Sequence, residues 1–266
     1  MPLRIAFDLD GVLADMDAEL IRQAEHLFGG SMNDRRSATN ASSGRPSGAP
    51  AEAQAGSPAR QPRGGPQAAQ TAAEPAADPE PALVKLNLTS KQQRRLWKHV
   101  ESIENFWETL QEIEPGTVKR LARLALDRRW EIMFLTKRPR SAGVTCQLQT
   151  QRWLVANGFP LPSVYVVQGS RGRIAAALAL DVVIDDRPEN CLDIVVDSKA
   201  RAILVWRDDE KNLPAAAKRL GIAVVRTVRE CLDVLEEIDA PPREQPGLMD
   251  RVMRLLGLKE TAGVQG

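Results

Sequence analysis

Residues 3–15 read LRIAFDLDGVLAD. Leu3 to Leu9 is a short run rich in apolar residues, the pattern of a strand buried on both faces. It ends on Asp8 and Asp10, which flank Leu9. Alternation at a strand end lets Leu9 turn into a core while the two carboxylates stay at the rim. Gly11 follows, and a residue without a Cβ allows the backbone a sharp turn beside a ligand. The same kind of segment recurs along the chain. Residues 130–135 (WEIMFL), 163–168 (SVYVVQ), 181–184, 202–206 and 222–225 read as further strands. Helical spacing of apolar residues predicts helices over 16–28, 115–126, 147–157, 172–180 and 213–220, with Gly158 ending the third. Apolar strands separated by helices predict an α/β fold, a doubly wound parallel sheet covered on both faces. Such sheets bind ligands at the carboxyl ends of their strands.

One stretch breaks the pattern. Of the 52 residues from 31 to 82, 33 are Ala, Gly, Pro or Ser, and none is aromatic, Leu, Ile or Val. Such a segment cannot bury enough apolar surface to offset its ordering entropy, so a disordered low-complexity insertion is predicted there. A tolerated surface insertion is the simpler reading and a partner-docking linker the other. The expected organisation is an α/β core of 1–30 and 115–240, a small helical appendage at 83–114, and a tail at 241–266. Within the appendage, residues 89–110 carry a helical stripe that includes Trp97, Phe106 and Trp107, with room for a break into two helices. The tail carries a short amphipathic pattern: Leu248, Val252, Leu255 and Leu256.

Composition excludes several classes. The 266 residues are 43% hydrophobic and 27% charged, with a formal net charge of +1. That balance argues against bulk electrostatic binding of nucleic acid. No apolar run is long enough for a membrane span, and Asp8, Asp10 and Asp15 interrupt the amino-terminal apolar residues, against a signal peptide. A cytoplasmic location is expected. Cys146, Cys191 and Cys231 are too scattered for a disulfide framework, and two histidines, His26 and His99, leave little room for a histidine metal site. The chemistry must run mainly on carboxylates.

Four segments at or after strand ends carry suitable groups: Asp8-Leu9-Asp10-Gly11, Thr136-Lys137-Arg138, Ser170-Arg171-Gly172-Arg173 and Asp185-Asp186-Arg187. Any one alone reads equally well as a helix cap or a solvated turn. Together they meet the needs of phosphoryl transfer, namely a nucleophile, an acid–base group, oxygen ligands for a hard cation and fixed donors for phosphate oxygens. A guanidinium at Arg171 or Arg173 can bind phosphate through two donors.

FDLDGVLAD, LTKRP, SRGRIAAAL and VVIDDRPEN resemble, in this order, the four motifs of the haloacid-dehalogenase-like (HAD) hydrolases. Within that superfamily the chain is similar to the small-cap nucleotidases and related phosphatases. FWETLQEIEPGTVKRL resembles the segment that joins cap to core in the deoxyribonucleotidase group. The resemblance implies a Rossmann-like catalytic core of 1–30 and 115–240, with 83–114 as a small helical cap inserted after the first strand, and a Mg2+-dependent phosphomonoesterase, acting through an aspartyl-phosphate on a nucleoside monophosphate or another small phosphate ester. It implies Asp8 as nucleophile. It implies Asp10 as general acid and then base, its backbone carbonyl on the metal. Thr136 would bind the phosphoryl group, with Lys137 a further phosphate-binding candidate. Asp185 would bind Mg2+ directly and Asp186 through water. The third motif normally holds a lysine; here the candidates are Arg173, twelve residues before Asp185, and then Arg171.

Asp10 favours phosphoryl transfer over dehalogenation, since the family's dehalogenases lack that second aspartate. A response-regulator receiver shares the residue types, but its acidic pair comes first, whereas here it comes last. Lys137 and Arg138 could hold a second phosphate or belong to a solvated loop. Trp97, Phe106 and Trp107 could stack on a base or form the buried face of a helix. Homo-oligomerisation is left open. An alternative from another class is a non-catalytic scaffold of this fold that recruits partners through 31–82. The missing third-motif lysine motivates it and the intact Asp8/Asp10 pair opposes it.

Overall fold

The computed structural model describes residues 2–42 and 88–239. Six parallel strands form one sheet: β1 (Arg4–Asp8), β2 (Glu131–Thr136), β3 (Ser163–Val166), β4 (Val182–Asp185), β5 (Arg201–Val205) and β6 (Ala223–Val225). Their order is β3-β2-β1-β4-β5-β6. This is the doubly wound order, which reverses direction between β1 and β4 and leaves a crevice there beyond the strand ends. The predicted fold class is the one observed.

Period-two alternation builds two cores, one on each face. Ile5, Phe7, Ile132, Phe134, Val182, Ile184, Ile203 and Val205 point to one. Ala6, Met133, Leu135, Val183, Ala202 and Leu204 point to the other. On the first face lie α1 (Met16–Ser42), α2 (Ser90–Ser102), α3 (Thr117–Arg128), α4 (Cys146–Ala156) and α8 (Val228–Asp239). On the second lie α5 (Arg171–Ala177), α6 (Pro188–Asp197) and α7 (Ala215–Arg219).

The helices follow their sequence signals. In α1, Leu20, Ala24 and Phe28 recur every four residues and are buried. Thr89 opens α2 with a reciprocal capping box to Gln92. The stripe over 89–110 is indeed broken, into α2 and a single 3-10 turn at Phe106–Glu108. Helices α6 and α8 are absent from the sequence reading above. The run Ile194-Val195-Val196 in α6 is β-branched, and a short apolar run does not by itself separate helix from strand. The spacing Val228, Cys231, Leu232, Leu235 in α8 is helical, and all four are buried.

After β1 the chain runs through α1 and α2, which pack on the first core, and its return is tied to the start of α1. Asp15 N–H donates to the Gln111 carbonyl at 2.9 Å, and Ile113 N–H to the Leu13 carbonyl at 2.9 Å. A long excursion between these points costs little in closure, because closure entropy grows slowly with length. Helix α1 continues to Ser42, past residue 31, where the sequence reading starts the insertion. The rest of that segment, the first residues of the expected cap and the tail at 241–266 lie outside the described residues. Among the described residues no helix is long and apolar enough to cross a membrane.

Candidate active site

Strand parity decides which groups meet. Asp8 shares its face of β1 with Ala6, and Asp185 shares its face of β4 with Val183; both faces belong to the second core. The pairing of Ile5 to Val182 through Phe7 to Ile184 brings the two aspartates to neighbouring strand ends at the reversal point. Helix α5 packs over that face through Ala175, and Arg171 is its first residue. The Arg171 guanidinium donates to Asp8 Oδ1, and its Nε lies 3.7 Å from Asp185 Oδ2. All three side chains are nearly sealed from solvent. Arg171 Nε and Nη1 have no hydrogen-bond partner. Buried donors without acceptors are costly, so these nitrogens suit an incoming anion.

Arg173, the first choice from spacing, is placed elsewhere. Its side chain is 84% exposed and faces Asp197 at 3.9 Å. Its backbone N–H is taken by Ser170 Oγ, which caps α5. The geometry therefore brings Arg171 rather than Arg173 to the aspartates. Lys137 is exposed at the mouth of the site.

Thr136 closes β2 on the opposite parity and is fully buried. Its hydroxyl donates to Asp10 Oδ2 at 3.2 Å. Arg138 completes this side. Its side chain is sealed from solvent, and it donates to both Asp10 oxygens, from Nε at 3.0 and 2.8 Å and from Nη2 at 2.7 Å. Residue type alone leaves Arg138 open between phosphate clamp and loop surface; its actual partner stands 128 positions away in sequence, a separation that strand patterns do not reveal.

The loop after β1 is shaped by Gly11, at φ +81, where a Cβ would collide with the Asp186 carboxylate. Leu13 and Ala14 N–H both donate to the Leu9 carbonyl at 2.8 Å, and Arg207 at the end of β5 donates to the Gly11 and Val12 carbonyls. Arg207 is a supporting residue that the motifs do not mark. Asp185 accepts from Asn190 Nδ2 at 3.0 Å on each oxygen and from Arg187 N–H at 2.9 Å, so the residues after the acidic pair do orient it.

Burial pushes the Asp8 carboxyl well above the usual carboxylate range; Arg171 opposes this, and Asp185, Asp186 and Asp10 push the same way as burial. Burial likewise raises Asp185, against Arg171 and the Arg187 and Asn190 donors. Crowded carboxylates on strand ends are the donor chemistry that a hard divalent cation takes. Among the described residues no three acidic, His or Cys side chains form a ready-made cage. The donor set fits such an ion in type.

Asp8, Asp10, Asp186, Arg171, Lys137 and Trp97 are among the residues that line a cavity of about 70 Å3. Trp97, on α2, forms part of its wall, whereas Phe106 and Trp107 are fully buried and belong to the core. A larger groove of about 490 Å3 lies at the β6 edge near Trp206 and Arg226 and holds none of the motif residues. The strand-end carboxylates and the buried Arg171 guanidinium line the smaller cavity.

No family model matches the chain, and no curated protein sequence does either. Among solved structures it is similar to a HAD family hydrolase from Deinococcus radiodurans R1 with bound phosphate and sodium, at 15% identity and a TM-score of 0.48, over 91% of this chain and 99% of that one. It is also similar to a hydrolase from Pseudomonas syringae, at 18% identity and a TM-score of 0.46, over 89% of this chain and 99% of that one. The architecture is the doubly wound parallel sheet that the sequence predicts, with the motif residues at its reversal point.

Proposed function

We propose that the protein is a HAD-superfamily phosphomonoester hydrolase, Mg2+-dependent, acting through Asp8. The observation that carries this is Arg171, held between Asp8 and Asp185 with two nitrogens that make no hydrogen bond. Asp8 is the nucleophile: one carboxylate oxygen attacks phosphorus and the ester P–O bond breaks. Asp10 gives its proton to the departing alkoxide. Asp10, now a carboxylate, takes a proton from water as that water attacks the acyl phosphate, which releases inorganic phosphate and regenerates Asp8. Thr136 and Arg171 hold the non-bridging oxygens, and Lys137 draws the anion to the mouth. The Asp8, Asp185 and Asp186 side chains and the Asp10 backbone carbonyl would hold Mg2+, which when bound neutralises phosphate charge. Fixed donors aimed at that charge supply the main stabilisation.

A small phosphate ester is the substrate class, a nucleoside monophosphate the first candidate. Trp97 supports it, as an aromatic side chain on the cavity wall on which a base could stack. The test has two parts. A phosphate-release screen over nucleotides and sugar phosphates, with and without Mg2+, identifies the ester. Asp8→Asn should then reduce Mg2+-dependent hydrolysis of an aryl phosphate to background; wild-type activity in that variant refutes the mechanism.

A further inference from the structure

We propose that Arg138 is a positioning residue for proton transfer, which aims Asp10 at the leaving group and does not bind phosphate itself. This rests on the proposed reading of Asp10 as the acid–base group. Arg138 lies two residues beyond Thr136, in the place where a cation after a strand end would serve to grip a substrate anion. The structure directs it elsewhere. Three of its four short hydrogen bonds end on Asp10 oxygens, and the fourth runs from Nη1 to Thr150 Oγ1 at 3.0 Å. One face of the guanidinium stacks on the Trp107 ring, 5.0 Å from its centroid. Trp107 is itself pinned, by Gln149 Oε1 on its backbone N–H and by the Pro139 carbonyl on its indole N–H, each at 3.0 Å.

The two arginines of the site thus differ in kind. Arg171 is buried with two nitrogens that make no hydrogen bond, and no side-chain nitrogen of Arg138 is left in that state. A planar guanidinium bound to both oxygens of a carboxylate fixes its rotation as well as its position. Proton transfer needs that rotation fixed, because the acid must lie within hydrogen-bond reach of the alkoxide oxygen. The step is the one given above: the proton leaves the Asp10 carboxyl for the alkoxide as the P–O bond breaks, and Asp10 ends as the carboxylate that Arg138 holds.

The discriminating readout is the leaving group. A nitrophenolate departs without a proton, whereas an alkoxide needs one, and kcat/KM reports that first step for either ester. Arg138→Lys keeps the charge and loses the fork. It should lower kcat/KM for the best alkyl ester of the screen by roughly 100-fold, within the range of general acid catalysis, and for p-nitrophenyl phosphate by under about 10-fold. KM should stay within about threefold for both. In the Asp10→Asn background, Arg138→Lys should cost nothing further. Thr150→Val, which keeps the arginine and removes its Nη1 acceptor, should show the same bias in smaller degree, and it carries the test if Arg138→Lys does not fold. Equal losses on both esters, a raised KM with kcat intact, or full additivity with Asp10→Asn would each overturn the proposal. Wild-type protein inactive on both esters would reject the proposed function instead, a result distinct from all of these.

Discussion

Arg171 and Arg173 stand two positions apart at the start of one helix, and their fates diverge because a helix turns about 100° per residue. Two steps carry a side chain from the sheet to the solvent. Spacing counted along the chain favours Arg173; the helix phase brings Arg171 to the aspartates. Arg171→Ala should lower kcat/KM by roughly 100-fold or more, the cost of one preorganised donor, and weaken inhibition by inorganic phosphate. Arg173→Ala should leave both within about twofold. Steady-state kinetics with phosphate as inhibitor measures the contrast, and a reversed order of the two variants would move the phosphate site off Arg171.

At the scale of elements, the contact between α5 and α6 keeps Arg171 in place. Asp193 of α6 accepts from Ser170 Oγ at 2.8 Å and from Gly172 N–H at 3.0 Å. A Cβ on Gly172 would run into the Asp193 carbonyl, so this glycine permits close approach of the two helices. Gly172→Ala should destabilise the fold by about 1–3 kcal/mol, as overpacking does. It should lower activity further by displacing Arg171, readable by thermal melts beside kinetics. Asp193 also carries a pH signature. Burial raises its carboxyl, but the donors from Gly172, Ser170 and Arg171 N–H outweigh it, and the group ends below its ordinary 3.8. A depressed carboxylate stabilises the fold above the unfolded value, and that stability is lost as pH falls through the folded value. The melting difference between wild type and Asp193→Asn should therefore be constant from neutrality to about pH 5 and shrink below about pH 4. A difference that persists unchanged at acid pH would remove Asp193 from the account.

For the whole molecule, the Asp15–Gln111 and Leu13–Ile113 hydrogen bonds tie the start of α1 to the segment that returns to α3, with no part taken by 43–87. Excising 43–87 and joining the ends by a short Gly/Ser linker should leave turnover within about twofold. Loop length enters stability weakly, ~0.6 kcal/mol per doubling. An active excised protein favours an enzyme over a partner-recruiting scaffold; a folded but inactive one would make the segment part of the site.

The sequence by itself determined the strands, the parallel sheet and the aspartates that stand at its strand ends. Those rest on local regularities: apolar runs that only a doubly covered sheet can bury, and aspartates at the ends of two of them. Tertiary structure alone decided which arginine meets Asp8 and that Arg138 serves Asp10. It also left Trp97, of the three aromatics, on the cavity wall while Phe106 and Trp107 went to the core. These outcomes depend on helix phase and on packing between segments more than a hundred residues apart, for which a linear pattern holds no record.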